Sequence, residues 1–403
     1  MSSHKPFDAI VVGARCAGSP AAMLLARRGH RVLLLDRASF PSDTVSTHLI
    51  HPPGVAALAR WGLLDRLVAT GCPPIRTYAF DVGPFTITGT PGPEGQDTAY
   101  APRRTVLDKL LADAAVNAGA ELREEFIVED LVFDEGRVAG IRGHHRGGAP
   151  VVERARVVVG ADGVHSMVAR AVSAGQYHEK PVLQAGYYSY WSGLPMNGRF
   201  EGYDRHRRAF ALWPTNDDLT LIVLSWPMEE FEVNRRDVER HFLSSLDLAP
   251  DVAERVRAGT REERFLGATV PNFFRKPYGP GWALVGDAGY NKDFITAQGI
   301  SDAFFAAELC SEALHAWLSG AASFDEAMGA YQAARDAKAL PIYGFTAQFA
   351  SLTPPPPETQ QLLAAVHGKP DAMNAFVRIF SGLVSPDEFF APEHVARILG
   401  AAT

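Results

Sequence analysis

Short unbroken apolar runs alternate with amphipathic stretches along the first third of the chain. Asp8-Ala9-Ile10-Val11-Val12 is such a run, of the kind buried on both faces of a parallel sheet. Gly13-Ala14-Arg15-Cys16-Ala17-Gly18 follows at once. Helix formers then occupy Ala21 to Arg28, Gly29 marks the stop, and a second run, Val32-Leu33-Leu34-Leu35, closes on Asp36. This order predicts one βαβ unit with a right-handed crossover.

Further along, the pattern predicts a helix over roughly 53–68 closed by Pro73-Pro74, and strand broken by turns over 78–90. An amphipathic helix over 105–118, hairpin-like strands around 121–131 and 137–141, and a buried strand at Val157-Val158-Val159 come next. Between 183 and 231 the period changes. Ten aromatic residues from Tyr187 to Phe231 sit in alternating segments such as 209–213 and 219–226, around the turn Thr215-Asn216-Asp217-Asp218. That alternation predicts an antiparallel sheet. A helix near 235–246, a strand at 282–285, a long helix from about 300 to 318 and a mostly helical tail complete the reading. Pro354-Pro355-Pro356-Pro357 is expected to be a stiff linker in that tail.

Composition narrows the classes. The 403 residues are 47% hydrophobic and 21% charged, ordinary for a globular enzyme with a large core and far from disorder. A net charge of -7 with no basic tail argues against a nucleic-acid partner. No basic segment leads into an apolar stretch at the start, and no run reaches the length of a membrane-spanning helix. Cys16, Cys72 and Cys310 are too few and scattered for a disulfide framework or a zinc site, so no metal is expected. The cytoplasm is the expected home, and a monomer or homodimer the expected state.

The chemistry lies at three strand ends. At the first, a pyrophosphate needs small residues so that backbone N–H groups and a helix N-terminus can approach it. Gly13 and Gly18 hold the outer positions of a G-x-G-x-x-G turn, with Arg15 in place of the middle glycine. Its side chain must point away from the phosphates or reach over them. Asp36, 18 residues beyond Gly18, stands where a carboxylate accepts hydrogen bonds from an adenosine ribose, which favours FAD or NAD over NADP at this site. Gly160-Ala161-Asp162-Gly163 is the second end. Gly286-Asp287-Ala288-Gly289-Tyr290 is the third, with Gln298-Gly299-Ile300 opening a helix after it. Ligands of open α/β sheets sit at strand ends, and glycine beside aspartate lets backbone and carboxylate both approach a cofactor.

With these motifs in this order, residues 7–320 resemble the FAD-dependent monooxygenases of the para-hydroxybenzoate hydroxylase type, neighbours of the geranylgeranyl reductases and flavin halogenases. The resemblance implies an α/β fold: a Rossmann-like FAD-binding domain from 1–75, 101–180 and 265–326, an interleaved antiparallel-sheet substrate domain from 76–100 and 181–264, and a helical C-terminal region at 327–403. It implies FAD on Gly13, Ala14, Arg15, Ala17, Gly18, Asp36, Arg37, Arg104, Asp162, Gly163, Gly286, Asp287, Gln298, Gly299 and Ile300. Asp287 matches the aspartate of the ribityl chain, and Asp162 with Gly163 matches a D-G motif associated with flavin and nicotinamide. Tyr290, Phe294 and Ala297 depart from the residues usual in this family near the flavin ring. NAD(P)H, with no second dinucleotide fold to hold it, is expected as a transient reductant. The expected activity is single-component hydroxylation of an aromatic or polycyclic small molecule with O2 through a peroxyflavin. Reduction of carbon–carbon double bonds, or sequestration of a ligand by a non-catalytic flavoprotein, are the alternatives; the W-x-W-x-I-P signature of halogenases is absent.

On the substrate side, Tyr187, Tyr190, Trp213 and Phe294 are the candidates for the pocket wall, set against simple packing of the sheet. His48, in the loop 42–51, is the candidate for proton transfer beside the flavin, set against a loop histidine that caps backbone groups. Cys16, at a helix N-terminus, is a candidate for a lowered pKa or for plain packing.

Overall fold

The computed structural model describes residues 5–400. The apolar runs assemble into one parallel sheet whose spatial order is Glu121–Arg123, Val32–Leu35, Phe7–Val12, Val151–Gly160, Trp282–Leu284. The order of winding reverses between Phe7–Val12 and Val151–Gly160, which is the switch point where such sheets bind ligands. Both faces are buried. Ala9 and Val11 pack against the helices Gly18–Arg27, Arg104–Asn117 and Gly299–Leu318, while Ile10 and Val12 pack against the hairpin Phe126–Asp134/Arg137–His145. Continuous hydrophobicity in these runs is therefore a consequence of two covered faces.

The helix expected over 53–68 is two helices, Pro52–Arg60 and Leu64–Val68, because Gly62 adopts φ 73° and ends the first. Near 235–246 the helix is Val238–Leu246, begun by Asp237, whose side chain accepts the Arg240 amide. A helix at Pro250–Ala258 was concealed by its charges; only Val252, Ala253 and Val256 face the core.

The aromatic region forms a second sheet in the order Thr260–Arg261, Gln184–Ser192, Thr220–Pro227, Arg208–Pro214, Arg199–Arg205, Thr77–Asp81, Thr86–Gly89. Its pairs are antiparallel except Arg199–Arg205 with Thr77–Asp81, which run parallel. Register lines up three rows across one face. Tyr190, Leu221, Trp213, Phe200 and Tyr78 form the first, Tyr188, Val223, Ala211, Gly202 and Phe80 the second, and Gly186, Ser225, Ala209 and Asp204 the third. The opposite face, with Tyr187, Leu224 and Trp226, packs against Val238–Leu246 and Pro250–Ala258.

The tail closes over the face with the three rows. A helix at Phe324–Phe349 is followed by Pro357–Val366, Pro370–Phe380, Pro386–Phe389 and Pro392–Leu399, each of the last four opening on a proline whose missing N–H is harmless there. Phe380 stacks on Phe80 of the sheet at 4.2 Å between centroids. Pro354 to Pro356, expected as a linker, line the cavity this closure leaves, and Pro357 begins a helix. No helix among the described residues is long and apolar enough to cross a membrane.

Candidate active site

The register of the parallel sheet brings three motifs to one edge. Val12 pairs with Leu35 and Gly160, and Gly160 pairs with Leu284, so those strands end level. Asp36, Gly13, Ala161-Asp162 and Gly286-Asp287 emerge side by side. The glycines are demanded by contact. A Cβ on Gly13, whose φ is 102°, would lie 2.4 Å from the Ala161 carbonyl oxygen; on Gly18 it would lie 1.7 Å from that of Gly13; on Gly286, with φ 57°, it would lie 2.7 Å from Ala17 Cβ. Asp36 braces the turn, accepting the Ala14 amide on one oxygen and the Ala38 amide on the other, both at 2.8 Å.

Arg15 points away from the turn. Its guanidinium reaches Asp108 at 2.5 Å and Ser42 Oγ at 2.9 Å. Asp108, fully buried, also binds Arg104 at 2.9 Å, one helical turn earlier on Arg104–Asn117. One carboxylate thus holds two arginines beside the glycine turn, an arrangement costly to break because removing either side would leave Asp108 or Arg104 as a buried charge. Cys16 donates to the same carboxylate, and burial pushes its thiol up, opposite to the lowering expected of a helix N-terminus, so it packs as a neutral thiol. Asp287 is exposed to the cleft, but the strand ends and the start of the helix Gly299–Leu318 crowd around it, and the loss of solvent on those sides pushes its carboxyl up to about 6, against the opposing pull of Arg104.

Other candidate side chains at this edge are committed elsewhere. Asp162 accepts from Ser166 Oγ at 2.5 Å and from the Met167 amide at 2.6 Å, and so organises the turn into the short helix Met167–Ala171. Gln298 donates to the Phe380 carbonyl at 2.9 Å, tying the tail to this edge, and Ile300 is in the core. Gly299 offers backbone to the cleft, and Gly163 holds φ 78°. Arg37 is exposed and has no hydrogen-bond partner among the described residues.

The loop 42–51 runs from this edge onto the first two rows of the second sheet and is fastened there by four aromatic side chains. The Ser46 amide donates to Tyr188 Oη at 3.1 Å, Trp213 Nε1 donates to the Thr47 carbonyl at 3.2 Å, His48 Nε2 bonds Tyr190 Oη, and His51 Nδ1 bonds Tyr78 Oη at 2.8 Å. His48, with φ 65°, is buried beside Arg103 and Arg104. Burial first, then these two cations, drives its pKa well below the ordinary histidine value, so the imidazole is neutral. Its Nδ1 is buried with no hydrogen-bond partner among the described residues. His51, which composition did not single out, also bonds the Thr296 carbonyl at 3.0 Å and is lowered to about 4, mainly by burial.

Beyond the loop lies a cavity of about 1110 Å³. Its floor is the sheet face with the three rows, where Gly202, Ala209, Ala211 and Ser225 of the second and third are too small to fill the space; its roof is Leu340 to Phe349 and the helices after it. Trp213 and Phe294 line it. Tyr187 does not: it projects from the other face and stacks on Trp226 at 5.4 Å, because alternation along the strand sends odd-numbered residues away. Tyr190 lies under Arg103, bonded to His48, rather than in the cavity wall. Asp108, His51, Asp204 and the cavity-lining tail had no local motif; only the i, i+4 spacing of Arg104 and Asp108 could have signalled one of them.

A cofactor with a pyrophosphate fits this edge: a glycine cradle that a Cβ would fill, two paired arginines beside it, and an unpaired buried imidazole nitrogen on the adjoining loop. Comparison with known proteins agrees. The model of a family described as FAD binding domain matches residues 7–339. Digeranylgeranylglycerophospholipid reductase 2 of Methanopyrus kandleri is 29% identical over 333 residues, 76% of each chain. Among solved structures, the myxobacterial chondrochloren halogenase CndH superposes with TM-score 0.81 at 24% identity, covering 99% of this chain and 98% of that one. PqsL of Pseudomonas aeruginosa in complex with 2-aminobenzoylacetate gives 0.73 at 22%, covering 94% and 99%. The strand-end geometry and the family match over most of the chain lead to one conclusion: the chain belongs to the FAD-binding family of flavoprotein oxidoreductases of the para-hydroxybenzoate hydroxylase type.

Proposed function

We propose that this chain is a single-component monooxygenase that uses NAD(P)H and O2 to hydroxylate an aromatic or polycyclic small molecule held in the cavity of about 1110 Å³. One observation carries the reading: two segments run from the cofactor edge into the cavity wall. The stretch from Asp36 to His51 places Thr47, Leu49 and His51 in that wall, and the stretch from Gly286 to Gly299 places Phe294 to Ala297 there. A group bound at the edge therefore meets one bound in the cavity across these two segments.

A bound FAD would supply the redox chemistry, with a nicotinamide as reductant and oxygen as the second substrate. The chain's own residues position and insulate. Gly13 to Gly18 admit the pyrophosphate and Asp36 fixes the turn that holds it. Arg104 and Arg15 supply fixed positive charge, which Asp108 keeps in place. The N-terminus of Gly299–Leu318 directs its dipole at the cleft. His48 and His51, both neutral, offer hydrogen bonds without adding charge, and the aromatic rows with the overlying tail exclude water.

The aromatic floor and the likeness to PqsL, described as a probable FAD-dependent monooxygenase, support hydroxylation. The similarity to the digeranylgeranylglycerophospholipid reductase over 76% of both chains favours a second reading, reduction of a carbon–carbon double bond in a long apolar substrate. Turnover under ¹⁸O2 separates them. Substrate-stimulated NAD(P)H oxidation with label in the product supports hydroxylation; anaerobic turnover to a saturated product overturns it in favour of reduction.

A further inference from the structure

The cavity floor carries a polar site in its third row. Asp204, on Arg199–Arg205, and Ser225, on Thr220–Pro227, flank Ala209, with which each is in register. The intervening methyl leaves a notch between a carboxylate and a hydroxyl roughly two strand spacings apart. Neither side chain makes a hydrogen bond among the described residues, whereas the other polar groups of that floor are engaged. Tyr78 bonds His51, Trp213 bonds the Thr47 carbonyl, and Asp81, which also lines the cavity, pairs with Arg205 at 2.8 Å.

Arg205 is thus the cation nearest in sequence to Asp204, but it is held by Asp81 and by the Leu248 carbonyl at 3.0 Å. Burial pushes the Asp204 carboxyl up to about 6, the response of an acid enclosed by apolar walls with Arg205 only partly offsetting it. No ion pair reaches this carboxylate among the described residues, since Arg205, though its Nη1 donates to the Asp204 main-chain carbonyl at 2.9 Å, pairs with Asp81. The surrounding floor and roof are Phe80, Phe200, Trp213, Phe345 and Phe380, which would accept the apolar body of the same ligand.

We propose that Asp204 and Ser225 anchor a protonated amine on the substrate, so that the cavity selects aromatic or polycyclic molecules bearing a basic nitrogen over neutral or acidic analogues. The proposal rests on the reading of this cavity as the substrate site. The ammonium would donate to the Asp204 carboxylate and to Ser225 Oγ, replacing the missing partner of each, while the rings cover the small residues of the second row. Charge and hydrogen bonding here set which molecule binds and in what orientation; neither residue touches the reacting centre through any contact described above.

The test uses the FAD-saturated full chain at pH 7.5 and matched naphthalene and anthracene probes carrying an aminomethyl, a hydroxymethyl or a carboxylate group, with affinity read by calorimetry. The ammonium members are expected to bind about ten-fold more tightly than the alcohols, with the carboxylates weakest. Asp204→Asn should bring amine and alcohol within about two-fold of each other, by weakening the amine most, with bound FAD unchanged; Ser225→Ala should weaken the amine by a few-fold. Alcohols or carboxylates binding as tightly as the amines, a preference that survives in Asp204→Asn, or no amine that binds at all, overturns the proposal. The readout needs no turnover. An amine preference in a protein that never oxidises NAD(P)H would remove the functional reading and leave this site standing, and the converse holds equally.

Discussion

The strand-end edge and the cavity beyond it are built by different means. At the edge, backbone does the work: level strand ends, three glycines that admit no Cβ, and amides aimed outward. In the cavity, side chains from four strands, two connecting segments and the tail converge, and space is created by what the third and second rows lack in bulk. A site made from backbone announces itself in sequence, since only glycine satisfies it. A site made from distant side chains does not.

The contrast can be broken most strongly at Gly13. Gly13→Val places side-chain carbon against the Ala161 carbonyl and forces a β-branched residue into φ 102°. FAD affinity is expected to fall by about a thousand-fold or more, on the order of 4 kcal/mol, measured by flavin absorbance titration. Retained affinity would mean the turn is not the pyrophosphate site.

Next in size is the pH response of the loop that joins the two regions. His51 is neutral in the fold, its pKa lowered from 6.5 to about 4 by burial. The unfolded chain therefore binds the proton more readily between those values. The stability His51 contributes is present above pH 6.5 and is lost as pH falls toward about 4, by up to about 3 kcal/mol. His51→Asn should remove that slope in denaturant unfolding, whatever its effect at neutral pH; an unchanged slope would place the acid sensitivity elsewhere.

Much of the first region was legible. The runs at 8–12, 32–35 and 157–159 read as buried strands because both their faces are covered, and the tight contacts at Gly13 and Gly18 match the demand for small residues in that turn; Asp36, read as a ribose partner, braces the turn through the Ala14 and Ala38 amides. Less legible was the fate of individual side chains. Asp162 organises its own turn, which a D-G dipeptide does as readily as it meets a cofactor, while Gln298 holds the tail and Arg15 reaches Asp108 through partners 82 and 93 residues away that leave no local pattern. Tyr187 and Trp213 look alike as aromatic strand residues, yet the pleat sends them to opposite faces, and only strand register reveals which face becomes the cavity. The tail read as helical, but its role as a roof depends on contacts with Phe80 and Gly89 that no periodicity encodes.

Two smaller effects sharpen the comparison from the cavity side. Ala211→Trp fills the floor beside Trp213 without reaching the strand ends. It should weaken a polycyclic ligand by about ten-fold and leave FAD binding as in the parent, so the two titrations separate the regions. Asp204→Asn should stabilise the ligand-free protein. Burial raises the Asp204 carboxyl from 3.8 to about 6, so the folded state holds the proton more tightly, and the resulting penalty grows as pH rises through that window and is complete above it. A gain of about 1 kcal/mol at pH 8 that vanishes near pH 4 is expected, less than the full shift implies because the side chain is part-exposed and an unpaired amide replaces it.

The most direct test of the central claim is stoichiometric titration of the wild-type chain with FAD, followed by absorbance near the flavin band. One FAD per chain, bound in a form protected from solvent, is the expected result. A colourless protein that cannot be reconstituted at any FAD concentration would contradict the assignment of the strand-end edge as a cofactor site.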